Sequence, residues 1–276
     1  MPEIHETRLR ENAWVWTLGG DRVLDSYGAN CVGVAGKSGV LLVDPLIAPA
    51  HARMVEAALR EKTDLPIRFV VLTHHHTDHA LGSSWFARQA TVVAHENCAT
   101  AVAAEHPALV ASRRRDPALA ELFSDAAPAR PGMTFDDRVT LDLGETVAEV
   151  FHPGHGHTAG DAVVHLPRES LVVCGDLVSN GYHVNFEDAS IDGYRASLAR
   201  LLSVEAETFV PGHGAAGARE IVERAREYFE ETRTIVGAEG ASTRSESEIA
   251  ARLIERFPGY LLEILLPETV RRFSRA

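Results

Sequence analysis

Short apolar runs rich in β-branched residues alternate along the chain with longer Ala-rich stretches, the pattern of strands interleaved with helices. The first part predicts strands at 14–17, 31–35 and 39–44 and a helix at about 48–62. The run IRFVVL at 67–72 is nearly continuously apolar, as expected of a strand buried on both faces. After a strand at 91–94, residues 99–122 read as helical segments interrupted by Pro107 and Pro117, within an inserted helical lobe over about 99–127. A second strand-rich part follows, with strands at 139–141, 147–151, 162–165 and 171–174, a helix around 198–202 and a strand entering the loop of ETFVPGHG. Residues 218–236 are strongly helical, and GAEGASTRSESE then breaks the pattern. Ser245 with Glu248 forms a capping box for a helix whose Ile249, Leu253 and Ile254 share one face. The apolar run 260–266 must bury itself on its own domain or, in a homodimer, on a second copy. The division read from this pattern is a domain over 1–236 and a helical extension over 237–276.

Charge narrows the partners. Lys and Arg number 27 against 39 Asp and Glu, a net charge of −12. That disfavours binding by phosphate neutralisation, so no nucleic acid is expected, and the cluster Arg113, Arg114 and Arg115 does not reverse the balance. The first residues, MPEIHETRLR, are polar and lack the apolar core of an export signal. No run reaches the about 18 apolar residues of a membrane span. Three widely spaced cysteines, Cys31, Cys98 and Cys174, make neither a disulfide framework nor a thiolate zinc site. A cytoplasmic protein acting on a small molecule, without a membrane role, is the expectation.

The chemistry is concentrated where 67–72 ends. His74, His76, Asp78 and His79 form HxHxDH in one turn. Imidazole and carboxylate together suit zinc, manganese or iron(II). This segment resembles the signature of the metallo-β-lactamase superfamily, and the other elements of that pattern occur in order: Asp44 in VDP, His157 in HPGHGHTAGD, Asp176 in LVVCGDLV and His213 in FVPGHG. The resemblance implies an α/β fold, a four-layer αββα sandwich with the metals at one edge. It implies two Zn2+ (or Mn2+ or Fe2+), one held by His74, His76 and His157, the other by Asp78, His79 and His213, with Asp176 bridging. Asp44 is expected to orient the HxHxDH loop through hydrogen bonds. The implied activity is hydrolysis of an ester, thioester, lactone or amide by a metal-bound hydroxide, with Asp78 as the catalytic carboxylate that orients the nucleophile or takes its proton.

The segment around His157 resembles the B1 β-lactamases, which carry a metal-binding Cys where Asp176 stands and a Lys where Ser179 stands. That exchange points away from β-lactams and toward the thioesterase, glyoxalase II and lactonase branches, with weak β-lactamase activity as the alternative. Phosphodiesterases, redox di-iron proteins and metal-binding sensors are further readings; acidic charge, His76 and the full ligand set respectively weigh against them. Among the neighbours, Cys174 is expected to be buried, His75 to point away from the metals, and His152 and His155 to leave the ligand role to His157. Asp161 reads as a turn-former and Thr158 as a tie for its loop. The loop after Asp176 supplies Asn180, Tyr182 and His183 as candidate substrate contacts, and the Gly-rich segment 19–28 is a candidate flap.

Overall fold

A computed structural model describes residues 2–240 and 245–275, and for 238–240 the backbone alone. The first sheet holds β1 (His5–Arg10), β2 (Ala13–Thr17), β3 (Asn30–Ala35), β4 (Val40–Val43), β5 (Ile67–Val71), β6 (Thr91–His95) and β7 (Met133–Phe135), adjacent in that order. Pairing is antiparallel from β1 to β4 and parallel from β4 to β7. Helices α1 (Pro49–Arg60), α2 (Thr77–Ala80), α3 (Ser83–Phe86) and α4 (Glu96–Arg115) fall between its later strands. The second sheet holds β8 (Arg138–Asp142), β9 (Val147–Phe151), β10 (Val163–Leu166), β11 (Leu171–Val173) and β12 (Thr208–Val210). With it come α5 (Ile191–Leu202), α6 (Glu220–Gly240), α7 (Glu246–Arg256) and α8 (Leu266–Ser274).

Strand periodicity assigns the layers. Leu41 and Val43 of β4 pack with Leu171 and Val173 of β11 in the core between the sheets. The intervening Val40 and Leu42 face Val55 and Leu59 of α1 and Val102 of α4, and Val172 faces Leu198, Phe229 and Phe273 on the far side. Period-two alternation thus buries both faces of the central strands, such as β4 and β11, while β1, β8 and β9 keep one face exposed, which gives the expected αββα order of layers.

Several expectations are corrected. The polar run at 5–10 is an edge strand, mostly exposed, so it lacks the apolar alternation that would announce it. Pro107 does not interrupt α4, which is continuous over Glu96–Arg115. Pro107 and Ala103, whose carbonyl loses its intrahelical partner, are both exposed, so water replaces the missing bond. The capping box of Ser245 and Glu248 is present. Of the break between α6 and α7, residues 241–244 lie outside the described residues. Leu262 and Leu266 are buried as the apolar run requires, but Ile264 is 81% exposed. No described helix is long and apolar enough to cross a membrane.

Candidate metal centre

Strand register delivers the site. β11 and β12 are parallel neighbours with Val173 opposite Val210, and Asp176 and His213 each stand three residues past that pair. The Cys174 N–H donates to the Val210 carbonyl (2.9 Å), prolonging the pairing to the brink of the site. Gly212 is needed there, because a Cβ on it would collide with the Asp176 carboxylate. His74, His76, Asp78 and His79 leave the end of β5, and His157 comes from the connection between β9 and β10.

One carboxylate sets the orientation of two histidines. Asp44 accepts from the Thr73 N–H (2.8 Å) and hydroxyl (2.6 Å) and faces His79 Nδ1 at 3.0 Å. The Thr73 oxygen in turn lies 2.9 Å from His74 Nδ1. With its own proton given to Asp44, Thr73 can only accept, so His74 is protonated at Nδ1 and presents the bare Nε2 to the centre. His79 likewise turns Nε2 inward. His213 Nδ1 is anchored on the Tyr27 carbonyl (3.0 Å) and His76 Nε2 on Asp188 (2.9 Å). Asp44 adopts φ +54°, a left-handed backbone that costs a non-glycine residue about 1–3 kcal/mol and is held by its surroundings.

What faces inward is chemically alike. His157 Nε2 lies 2.9 Å from His76 Nδ1, and His79 Nε2 lies 3.2 Å from His213 Nε2. His74 Nε2 is buried with no hydrogen-bond partner. Asp176 sits among them, its Oδ1 3.2 Å from His79 and its Oδ2 3.3 Å from His213 and 3.7 Å from His157. Asp78 is 3.5 Å from His79 and 3.4 Å from His213. Of four groups of metal-binding geometry among the described residues, two converge on Asp176 and His213, namely His74, His76, His157 with Asp176, and Asp78, His79 with His213; the other two are Asp44, His74 with His79, and His75, His76 with Asp188. Facing imidazole nitrogens repel unless a proton or a cation lies between them, and borderline-soft nitrogen with carboxylate oxygen is the donor set of zinc. The residues therefore fit metal ions, typically zinc.

The protonation pattern divides the centre. Burial and the charge on His79 hold His74 well below the ordinary histidine value, and burial with His76 pushes His157 down to about 3. Burial acts the same way on His79 and His213, but the Asp176 carboxylate overrides it, holding His79 well above its usual value and His213 at about 9. Asp176 is held low despite burial, by His213 and His79. His74 and His157 thus offer neutral lone pairs. Around Asp176, His79 and His213 make a cluster of opposite charges in which protons occupy the nitrogens that a metal would take.

Around the centre, Cys174 is buried. His75 faces Glu105 and Asp188, each at 3.5 Å, and so lies outside both ligand groups. His152 Nδ1 bonds the Asp161 carbonyl and His155 Nε2 the Asp188 carbonyl. Asp161 caps the loop of His157, accepting from the N–H groups of His157 (2.7 Å) and Thr158 (2.9 Å) and from the Thr158 hydroxyl (2.7 Å). The segment 19–28 contains a 3₁₀ turn, Val23–Gly28, tied to the site by Ser26, whose hydroxyl donates to the Asp78 carbonyl (3.2 Å).

A cleft of about 640 Å³ opens over Asp78, Asp176 and His213. Of the candidate substrate contacts His183 lines it, while Asn180 and Tyr182 do not. The Tyr182 hydroxyl donates to the Gly20 carbonyl and the Asn180 amide to the Ala215 carbonyl, so both are spent on loop structure. His183 Nδ1 is itself 2.9 Å from the Tyr228 hydroxyl. Sequence reasoning missed Asp188, which reaches back across 112 positions to His76. It also missed the C-terminal wall of the cleft, Leu262, Ile264 and Leu265.

A sequence profile of the metallo-β-lactamase superfamily matches residues 25–213, more than half of the chain. The α subunit of 2,4-dinitroanisole O-demethylase from Nocardioides sp. (strain JS1661) is 26% identical over 215 residues, 77% of this chain and 58% of that protein. The type 2 metallo-β-lactamase of Elizabethkingia meningoseptica is 24% identical over 65% of this chain and 64% of its own length. That of Bacillus cereus is 25% identical over 77% of each. The chain thus spans less than two thirds of the first two relatives. Among solved structures, a metallo-β-lactamase from Pontibacter korlensis superposes with a TM-score of 0.69 at 22% identity, over 83% of this chain and 99% of that one.

Proposed function

The chain belongs to the metallo-β-lactamase superfamily, and on that premise we propose that it is a dinuclear zinc hydrolase cleaving an ester, thioester, lactone or amide bond of a small molecule. Its homologues there are metal-dependent hydrolases. The observation that carries the proposal is the inward set of like nitrogens around Asp176, at 2.9 and 3.2 Å from one another. His74, His76 and His157 would hold one ion and Asp78, His79 and His213 the other, with Asp176 between. The catalytic unit in this reading is 1–236 with its helical insert, and 237–276 is an extension that completes the cleft.

Bound zinc supplies Lewis acidity, bringing the pKa of a water to about 7 and drawing electron density from a carbonyl oxygen. The chain's own groups do the rest. Asp44 and Thr73 fix the rings of His74 and His79, and Asp188 fixes that of His76. Asp78, at the floor of the cleft, orients the attacking water or accepts its proton, and no Ser or Cys nucleophile is required.

The test is elemental analysis of protein purified without chelator, joined to a hydrolysis screen over thioesters, lactones and activated esters. About two zinc per chain, with turnover abolished by Asp78→Ala, is the expected result. Fewer than one metal per chain, or a metal-replete protein silent on all of these, overturns it. β-Lactam hydrolysis is the second reading, favoured by the names of two relatives, and a chromogenic cephalosporin tests it. The name of the first relative adds an activated aryl ether to the same screen.

A further inference from the structure

The cleft has two walls that the chemistry at its floor does not use. On one side α4 presents Glu105, Leu109 and Arg113, spaced by four and therefore on one face of the helix. On the other, Leu262, Ile264 and Leu265 come from the turn before α8. That turn is built to stand there. The Leu261 N–H donates to the Gly181 carbonyl (3.0 Å) and its carbonyl accepts from the His183 N–H (2.8 Å), stitching it to the loop after Asp176. Leu262 then takes φ +64°, a strained backbone for a branched residue, and Ile264 is left 81% exposed beside the opening.

Charge along α4 is ordered. Glu105 stands against His75 at 3.5 Å, at the end of the cleft near the metal ligands. Arg113 is two turns further, about 12 Å along the axis at 1.5 Å per residue. Its neighbours Arg114 and Arg115 donate to carbonyls of Phe123, Ala126 and Ala111, whereas the half-buried Arg113 makes no hydrogen bond or ion pair among the described residues and lines the cleft. An arginine held without a partner beside an apolar wall is suited to a carboxylate or phosphate on a ligand.

Resting on the hydrolase reading above, we propose that the substrate is an acyl compound with an apolar body and a terminal anion, its chain lying on Leu109, Leu262, Ile264 and Leu265 and its anion paired with Arg113. Arg113 and Ile264 then set specificity rather than perform chemistry.

Two measurements test this on the metal-loaded protein. In the first, activated monoesters of linear diacids are compared with their neutral ω-methyl esters of equal length. Wild type is expected to favour the anionic tail in kcat/KM through KM, and Arg113→Met to shrink that preference about tenfold, the size of one charge-assisted hydrogen bond. Ile264→Ser is expected to raise KM for long chains about threefold to tenfold relative to short ones. In the second, calorimetry compares sebacate, a ten-carbon diacid, with decanoate, the monoacid of the same length. Tighter binding of sebacate, lost in Arg113→Met, supports the proposal. Equal binding, or binding that Arg113→Met leaves alone, overturns it. Failure of every ester to turn over would sink the hydrolase reading, while the calorimetry would still decide the role of Arg113.

Discussion

At the end of the sandwich away from the histidines, Glu169 is as buried as Asp176, yet its surroundings are complementary. Its Oε1 accepts from Thr146 (2.7 Å) and Asn12 (3.1 Å), and Arg10 donates to its backbone carbonyl (2.8 Å). At the histidine end, like nitrogens face each other across 2.9 and 3.2 Å. Both regions are buried and polar, and both sit where strands meet loops. The difference is that donors at the far end already have acceptors within the fold, so that cluster stabilises it, whereas the near end is satisfied only by something added. A buried polar group without a partner costs about 1–3 kcal/mol; the far end carries one such atom, Glu169 Oε2, whereas at the near end His74 Nε2, His157 Nδ1 and Asp176 Oδ1 all lack a hydrogen-bond partner. His51 adds a third case, buried with neither ring nitrogen bonded but with no second ligand facing it. Lack of a partner alone is therefore not a site; convergence is.

The comparison can be broken in several ways. The largest effect is expected from Gly212→Ala, whose methyl would displace Asp176; a loss of about 100-fold or more in kcat is expected from such a misplacement, with zinc content falling alongside. Asp44→Asn removes the shared acceptor for Thr73 and His79 and is expected to cost about 10–100-fold in metal affinity or turnover, read by competition with a chelator. His51 is pushed down to about 4 by burial. Its neutral form is favoured by folding, so its contribution is full above the ordinary value of about 6.5 and is lost as pH falls from there toward 4, about 3 kcal/mol in all; urea titrations at several pH values check this, and His51→Leu should flatten the slope. Glu169→Ala should lower stability by about 1–3 kcal/mol with kcat/KM retained. The smallest effect tests the contrast most directly. His76→Ala in metal-free protein should change stability by no more than about 1 kcal/mol, because removing one of two facing nitrogens offsets the lost bond to Asp188; a larger loss would mean the near end is satisfied without metal.

The candidate ligands were legible because they lie close to the strand ends that carry them, in motifs short enough to recognise. Asp44 was legible only through the resemblance, its bonds to Thr73 and His79 being invisible in the sequence. Asp188 carries no motif, and its place beside His76 depends on how the loop before α5 folds back. Tyr27 contributes a backbone carbonyl, which no side-chain pattern reports. Tyr182 and Asn180 show how a polar loop beside a site can spend its groups on itself, theirs being bonded to the Gly20 and Ala215 carbonyls. In the fold, alternation located the buried strands but not β1, whose exposed edge carries no apolar face.

The parallel register of β11 and β12 sets Asp176 and His213 three residues past one paired level. Adding or deleting one residue in either short link would put the two out of step, so over evolutionary time these links are closed to changes of length. The walls of the cleft come from α4 and from the turn before α8, which stand outside that register. Lineages of this chain can therefore lengthen, shorten or rewrite those walls and acquire new substrates while the floor is inherited intact.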